Sequence, residues 1–349
     1  EKSPTSSLTM ATIFPLKPED PAFPVEGDGT LNEVFRRIPV QSFPAPLKGK
    51  VVTINSDASI AEACRILSEN NILSAPVLDV TQPSDSSWSS KYSGVVDFMA
   101  IIDWMMDKTW GQSPTDLKEL LNLRVAFNDT PVSVLSSHAR WTRFIPVDNI
   151  DNSLLDVMLI LGKYGAHRVW AVNSPGGDIR TVITQSGVVD QLGNNMESLT
   201  GLTSKPLSSL GVIHDGAPAS VTTKNTFWDA FRIMSNQVIS AVPVLNESGA
   251  VVGTLSAHDL RYMLQEPAKF RAMTHPIGEY ADLTRDLFTC RRSDSLEHVI
   301  RAFQGSHVHR LWVVDNDNKP VGVVSLREVL ASFVREPEGD TLRQYFTMQ

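Results

Sequence analysis

The chain repeats one helical pattern four times, and this repetition limits its fold more than any other feature of its 349 residues. Each copy begins with a hydroxyl residue that can cap a helix, and three of the four copies place an acid three residues later, as in a capping box. Apolar residues then recur at positions i, i+3, i+4 and i+7, which puts them on one face of a helix. The caps are Ser59, Ser153, Thr226 and Ser295, and the residues three positions later are Glu62, Asp156, Asp229 and His298. The apolar stripes are Ile60, Ala63, Cys64 and Leu67; Leu154, Val157, Met158 and Leu161; Phe227, Ala230, Phe231 and Met234; and Leu296, Val299, Ile300 and Phe303.

A short apolar strand follows each of these helices at a nearly fixed distance. It begins 15, 14, 14 and 14 residues after the cap and covers residues 74–78, 167–172, 240–244 and 309–314. After a turn, which a Ser-rich insert containing Trp88 enlarges in the first copy, a second strand begins at Gly94, Thr181, Gly253 and Gly322. Another amphipathic helix completes each unit. The sequence therefore predicts an α/β fold of α+β repeats. One unit has too little core to be stable alone, so we expect the first to pair with the second and the third with the fourth.

These patterns divide the chain into six parts. The prolines and weak periodicity of the first residues indicate a flexible leader, and the long segment between the first two repeats predicts a short helix near residues 117–123. The predicted parts are the leader (1–29), repeat one (30–106), the connecting segment (107–140), repeat two (141–196), repeat three (197–264), and repeat four with the C-terminal segment (265–349).

The repeat resembles the CBS repeat. The apolar-Pro-Val strand and the run from Gly253 to Leu260 carry this resemblance. Residues 309–314 and 322–328 are similar to the last repeat of the gamma subunits of AMP-activated and Snf-type protein kinases, and residues 35–40, the insert ending at Trp88 and residues 183–187 are similar to the plant gamma-like branch. The resemblance implies four repeats paired into two Bateman modules, which together form a flat pseudo-symmetric disc. It also implies a non-catalytic regulatory subunit with kinase alpha and beta subunits as partners, and AMP, ADP or ATP as regulatory ligands.

The resemblance also implies which residues bind the nucleotide. In the family, basic groups bind phosphate, hydroxyls make polar contacts, and a carboxylate accepts hydrogen bonds from the ribose diol. The matching positions are His167, Arg168, Thr184, Ser256, Asp259, His309, Arg310, Ser325 and Glu328.

Several positions depart from the family pattern, and they weaken at least two of the four sites. Leu73 stands where a phosphate-binding arginine is expected, Gln185 and Ser186 replace basic residues, and Ala100 and Gly187 replace the ribose acid. A single histidine at a strand edge is usually structural, but two His-Arg pairs at one repeat position favour a functional role. Asp259 also suits a helix start. Glu328 is more typical of a solvated helix residue, and Trp170 and Trp312 of packing residues.

Composition and motifs exclude several classes of function. The net charge of −8 argues against general nucleic-acid or anionic-membrane binding, and no apolar run approaches the length of a membrane span. Only Cys64 and Cys290 occur, so neither a disulfide framework nor a thiolate metal site is expected, and the predicted location is cytoplasmic or nuclear. The sequence contains no P-loop, no metal-ligand spacing and no Gly-x-Ser-x-Gly, which predicts that the chain is not an enzyme.

Two other functions remain open from the sequence. The departures at Leu73, Ala100, Ser186 and Gly187 favour a nucleotide-insensitive CBS scaffold or adaptor. A free-standing adenylate sensor that regulates a partner other than a kinase is the other alternative.

Overall fold

The chain folds into four small sheets, each flanked by helices. The computed structural model describes residues 27–44, 50–109, 111–114, 117–137, 144–148, 151–173, 178–265, 267–280, 287–306 and 308–337. Most of the predicted leader therefore lies outside the described residues. The strands are β1 (Ile54–Asn55), β2 (Ser74–Leu78), β3 (Tyr92–Asp97), β4 (Pro146–Asp148), β5 (Arg168–Val172), β6 (Ile179–Thr184), β7 (His214–Asp215), β8 (Val221–Thr222), β9 (Ala241–Leu245), β10 (Val251–Ser256), β11 (Thr289–Cys290), β12 (Arg310–Val314) and β13 (Pro320–Ser325).

Each repeat contributes one sheet with the same topology. A short first strand pairs parallel with the central strand, and the central strand pairs antiparallel with the third. The third strand begins two residues before each predicted start, because every central pair contains an irregularity of register near that point. Such a bulge adds a residue to one strand and breaks the alternation on which a sequence-based boundary depends. The sheet of repeat four also gains β7, a short strand from the first part of repeat three.

Helices complete each repeat. They are α1 (Asn32–Arg36), α2 (Ile60–Glu69), α3 (Trp88–Lys91), α4 (Phe98–Lys108), α5 (Leu117–Asp129), α6 (Leu154–Met158), α7 (Gln185–Asn194), α8 (Thr200–Thr203), α9 (Phe227–Gln237), α10 (Leu260–Gln265), α11 (Pro267–Ala272), α12 (Ile277–Tyr280), α13 (Leu296–Ser306) and α14 (Leu326–Ala331). All four predicted caps precede a helix, and all sixteen residues of the predicted stripes are buried. Asp156 and Asp229 complete capping boxes with Ser153 and Thr226. The helix predicted near residues 117–123 is longer than expected.

The repeats pair within each module by exchanging the segments that precede them. Pro39, near the start of repeat one, forms a bridge with the cap Ser153 of repeat two, and Pro131, in the connecting segment before repeat two, forms one with the cap Ser59 of repeat one. The second module repeats the exchange, with bridges from Pro206 to Ser295 and from Pro276 to Thr226. This reciprocity confirms the predicted pairing of the first repeat with the second and of the third with the fourth.

Helices join the two modules and close the four repeats into a ring. One hydrophobic core combines α2 and α4 of repeat one with α9 and α10 of repeat three, and it includes the buried side of α5. The other core combines α6 and α7 of repeat two with α13 and α14 of repeat four, and Phe35 of α1 packs into it. The two segments that end the described chain also meet, since Gly27 N donates to Val334 O at 2.9 Å.

A π-helical segment, Leu159–Lys163, continues α6 where repeat two meets repeat four. A Cβ on Gly162 would lie 2.9 Å from Ala331 N and 3.2 Å from Leu330 C, so the backbones of the two repeats approach more closely than any larger residue permits. A π turn widens a helix locally and is often found at functional sites. The segment leads directly to the strand that begins at Arg168.

Two tryptophans pack between the facing sheets, one in each module. Trp312 Nε1 donates to Thr254 Oγ1 at 2.8 Å, across the contact between repeats four and three. Trp170 takes the same place in the first module, but it packs against Val95, which occupies the position of Thr254 in the sheet. Its buried Nε1 consequently has no hydrogen-bond partner in the described part of the chain.

Exchanging the residues at positions 95 and 254 should change stability in opposite directions. Thr254→Val leaves Trp312 Nε1 buried without an acceptor, and we expect it to lower the free energy of unfolding by about 1–3 kcal/mol. Val95→Thr supplies an acceptor to Trp170 Nε1 and should raise that free energy by about 1 kcal/mol. Urea unfolding of both variants beside the wild type is the measurement, and a loss of stability in both would contradict this interpretation.

Candidate functional site

The two His-Arg pairs stand at the start of the central strands of repeats two and four. Arg168 donates through Nη1 to Ser74 Oγ of repeat one, and Arg310 donates through Nη2 to Ser240 Oγ of repeat three. Arg310 Nη1 also lies 3.4 Å from Ala241 O. Each guanidinium group therefore crosses the cleft of its module and contacts the start of the opposite strand. Neither serine was predicted from the sequence to be a partner of an arginine.

The basic groups of the two modules converge on one region, which we call the basic cluster: His167, Arg168, His258, His309, Arg310 and Arg327. Burial lowers the pKa of His167 to about 3, and the nearby charges of Arg168, His309, Arg310 and Arg327 lower it further. The pKa of His309 falls to about 4 through desolvation inside the cleft and the charges of Arg168 and Arg310, although its side chain remains accessible. The predicted histidines of repeats two and four are thus close enough to influence each other.

His258 extends the basic cluster to repeat three. Desolvation, followed by the charges of Arg261 and His309, lowers the pKa of His258 to about 4. Its ring lies 5.6 Å from that of Phe98 in repeat one. His258 and Arg327 occupy the same position in their repeats, two residues after Ser256 and Ser325. Neither residue was predicted from the sequence to belong to the site, although a basic residue at this position in two repeats was a signal that could have revealed them.

The acids near the basic cluster serve mainly to begin helices. Asp259 Oδ2 accepts from Ser256 N at 2.7 Å and from Ser256 Oγ at 3.1 Å. Glu328 Oε2 accepts from Ser325 N at 3.0 Å and from the Ser325 hydroxyl. Both are capping boxes. Glu328 is 8% exposed, so the expectation of a solvated helix residue was wrong: the box and the interface with repeat two draw its side chain inward.

The hydroxyls predicted to contact the ligand are helix caps as well. Thr184 Oγ1 accepts from Gly187 N at 3.1 Å, and Ser325 Oγ accepts from Arg327 N at 3.2 Å. Thr184 pairs with Arg168 in the sheet, and Ser325 pairs with Arg310. In repeat one the cap is Asp97, which accepts from Ala100 N at 2.8 Å. The structure therefore brings a cap, a helix N-terminus and an arginine together in repeats two and four.

Arg327 connects the basic cluster to the π-helical segment. Its Nε donates to Gly162 O and its Nη2 to Lys163 O, both at 3.2 Å. Gly165 has φ +68°, and a Cβ there would lie 3.2 Å from the Arg327 Cζ atom. A glycine both adopts this left-handed conformation and leaves space for the guanidinium group. Arg327 is thereby fixed between repeats two and four.

Two buried side-chain nitrogens in the basic cluster have no hydrogen-bond partner among the described residues. They are Arg168 Nε and His258 Nε2. Buried polar groups are almost always satisfied, and exceptions call for an explanation such as an absent ligand. Asp97 and Glu328 partly balance Arg168 and Arg310, because their charges oppose the fall in the pKa of each arginine that burial causes. An anion with several acceptor oxygens fits this donor set.

Neither a metal-binding cluster nor a membrane-spanning helix is found in the part of the chain that the structure describes. Within the described residues, no group of three or more histidine, cysteine, aspartate or glutamate residues is arranged to hold a metal ion. In the same part of the chain, no helix has both the length and the apolar character needed to cross a bilayer. The two cysteines are buried, and desolvation raises the pKa of each thiol to about 12.

Comparison with known families identifies the repeats. The CBS domain model matches residues 45–107, 213–266 and 277–335, a little over half of the chain. Two Arabidopsis thaliana proteins, SNF1-related protein kinase regulatory subunit gamma-1-like and SNF1-related protein kinase regulatory subunit gamma-1, are 27% and 28% identical to it. The first alignment covers 88% of both chains, and the second covers 88% of this chain and 84% of the relative.

More distant relatives agree with this assignment. The 5'-AMP-activated protein kinase subunit gamma of Saccharomyces cerevisiae is 21% identical, over 82% of this chain and 87% of the relative. The crystal structure of MJ1225 from Methanocaldococcus jannaschii, described as an archaeal homologue of the AMPK gamma subunit, superposes with a TM-score of 0.65 at 19% identity. It covers 83% of this chain and 98% of that one, which shows a shared fold. The chain therefore belongs to the CBS domain family, and it is homologous to the regulatory, not the catalytic, subunits of SNF1-related and AMP-activated kinases.

Proposed function

We propose that this chain is the gamma-type subunit of an SNF1-related or AMP-activated kinase complex and that it binds adenine nucleotides in the clefts between its repeats. Kinase alpha and beta subunits are its partners in this proposal, and AMP, ADP and ATP are its regulatory ligands. The homology to regulatory gamma subunits supports the partners. We also propose that it acts in the cytoplasm or the nucleus, where such kinase complexes would meet their nucleotide ligands.

The basic cluster is the observation that carries the nucleotide proposal. It gathers three guanidinium groups and three imidazoles from repeats two, three and four in a protein of net charge −8. Arg168 Nε, which has no partner among the described residues, suits a phosphate oxygen, and so does His258 Nε2 in the tautomer that carries its proton there. The N-termini of α7 and α14 offer further N–H groups near the same strands.

The second module fits a complete nucleotide better than the first. Repeats three and four retain the acids Asp259 and Glu328, whereas repeats one and two have Ala100 and Gly187 at those positions. The capping boxes use one oxygen of each carboxylate, Asp259 Oδ2 and Glu328 Oε2, and a carboxylate can accept further hydrogen bonds, such as one from a ribose hydroxyl, at its second oxygen. We therefore place the ribose at Asp259 or Glu328 and the phosphates at His309 and Arg310. His167, Arg168 and Thr184 approach the same phosphates from repeat two.

Calorimetric titration with AMP, ADP and ATP tests the proposal directly. His309→Ala removes an accessible imidazole that makes no side-chain hydrogen bond to another described residue. The fold should therefore survive. We expect this variant to bind at least about tenfold more weakly, since a hydrogen bond to a charged group contributes roughly 1.5–3 kcal/mol.

His298→Ala is the matched control. It makes the same change in the same repeat, on the exposed face of α13. Its affinity should equal that of the wild type. Unchanged binding by His309→Ala would remove the basic cluster from the site, and a folded wild type that binds none of the three nucleotides would overturn the proposal.

A nucleotide-insensitive scaffold is the second candidate. Leu73, Ala100 and Gly187 favour it, because each replaces a group that a nucleotide would need. The same titration separates the two functions. Affinity capture of the tagged chain with kinase alpha and beta subunits separates a kinase subunit from a free-standing adenylate sensor.

A further inference from the structure

The two modules differ in the part of the cleft that surrounds their tryptophans. Arg168 and Trp170 are two residues apart on β5, and Arg310 and Trp312 are two residues apart on β12. Side chains two positions apart on a strand share one face and lie about 7 Å apart. This spacing is about the length of one nucleoside, so a nucleotide whose phosphate contacts the arginine can reach the tryptophan with its base.

In the first module this space is filled by the protein's own rings. Phe144 stacks on Tyr92, with centroids 5.1 Å apart, and on Trp170, with centroids 5.8 Å apart. Trp88, from the insert, packs against Phe144 at 6.1 Å. We call Trp88, Tyr92 and Phe144 the aromatic plug. The ion pair between Lys91 and Asp178, at 2.5 Å, ties the insert to the hairpin of repeat two.

Among the described residues, the second module has no such plug. Val251 corresponds to Tyr92, because each pairs with the last residue of the neighbouring strand. Leu287 corresponds to Phe144 by the backbone hydrogen bonds of the tryptophans. Trp170 N donates to the carbonyl of the residue after Phe144, and Trp312 N donates to the carbonyl of the residue after Leu287. Trp88 has no counterpart, since a tight turn at residues 246–249 replaces the insert. Two aliphatic side chains thus stand where the first module has three aromatic rings.

We propose that the aromatic plug occupies the base compartment of the first module and restricts adenine nucleotides to the second. This inference rests on the proposed function and adds what excludes nucleotides from the first cleft. The plug offers Trp170 the stacking that a purine would offer, without the loss of translational freedom that a free ligand suffers on binding. A nucleotide entering the first cleft would first have to displace these rings.

The phosphate end of the first cleft supports the same conclusion independently. By the register of the sheets, Leu73 occupies the position held by His167, Ser240 and His309 in the other repeats. Ala100 provides no carboxylate for a ribose. In the first cleft, the aromatic plug therefore fills the end where a base would lie. At the other end, where a phosphate would lie, the side formed by repeat one is apolar.

Photolabelling with 8-azido-AMP, followed by peptide mapping of the full chain, tests the proposal. The wild type should be labelled within residues 241–256 or 287–290 and not within residues 74–97 or 144–148. The opened variant Trp88→Ala, Tyr92→Val, Phe144→Leu copies the second module. Its labelling within residues 74–97 or 144–148 should rise about tenfold or more, as expected when an aromatic compartment becomes available to a base.

Several results would overturn the inference. Labelling of the first cleft in the wild type would be one such result. An opened variant that melts cooperatively but gains no label in the first cleft would be another. Phe144→Leu alone serves if the triple variant does not fold, and it should show a smaller gain at the same peptides. If neither the wild type nor any variant is labelled and titration shows no binding, the proposed function itself fails. If every folded variant is labelled only in the second module, the proposed role of the aromatic plug is refuted and the proposed function stands.

Discussion

Replacing Gly162 with alanine should lower the free energy of unfolding by about 3 kcal/mol, the upper end of the usual cost of overpacking. The added Cβ would meet Ala331 N at 2.9 Å and Ala331 Cα at 3.2 Å. These are backbone atoms of α14, so the clash cannot be relieved by a change of rotamer. The helices must separate, and the core shared by repeats two and four must loosen with them. Urea unfolding monitored by circular dichroism measures the change.

Gly305→Ala is the control for this variant. Gly305 lies in α13, and a Cβ there meets nothing within 4 Å. Alanine is favoured over glycine in a helix by roughly 0.5–1 kcal/mol, so this variant should be slightly more stable than the wild type. A Gly162→Ala protein as stable as Gly305→Ala would show that the contact between repeats two and four is less close than the structure indicates.

Acidification from pH 7 to pH 5 should destabilise the fold by several kcal/mol. His167 and His258 have native pKa values of about 3 and 4, below the ordinary value of 6.5. Below pH 6.5 the unfolded chain binds protons that the native protein does not, so the free energy of unfolding falls as the pH decreases toward 4. The loss approaches about 2 kcal/mol at pH 5 for each fully shifted histidine. The accessible His309 contributes less, because solvent screens its charge.

Two histidine variants show whether the basic cluster causes this dependence. In His167→Gln, His258→Gln the free energy of unfolding should change much less between pH 7 and pH 5. His298→Gln, on the exposed face of α13, should keep the wild-type dependence. Denaturant unfolding at the two pH values gives both results. An unchanged pH dependence in the double variant would assign the effect to other groups.

The repeated helix caps and stripes made most of the fold predictable. Cap, stripe and strand are local features with a fixed period, and their fourfold recurrence identified the unit and its pairing. Three features were not predictable, because tertiary contact decides them. The π-helical segment Leu159–Lys163 lies where Gly162 meets Ala331, the bulges shift each third strand, and which helices pack across the modules depends on surfaces that look alike in sequence.

The candidate site was predictable only in part. The His-Arg pairs and the hydroxyls come together in the structure as the resemblance implied, but whether they bind nucleotide stays a prediction. Arg327 and His258 were missed because each is a single basic residue in a helix start, and only the ring of four repeats brings them to the His-Arg pairs. The double role of Asp259 and Glu328 as capping-box acids likewise appears only with the hydrogen bonds.

The reciprocal exchange of segments within each module bears on how such a chain is made and how it evolves. The bridge between Ser59 and Pro131 cannot form until the ribosome has synthesised the connecting segment. The bridge between Thr226 and Pro276 likewise cannot form until Pro276 has been synthesised. Deleting or duplicating a single repeat would leave one repeat without the proline segment that forms a bridge with its helix cap. Lineages of these proteins should therefore gain and lose repeats two at a time, with the module as the heritable unit.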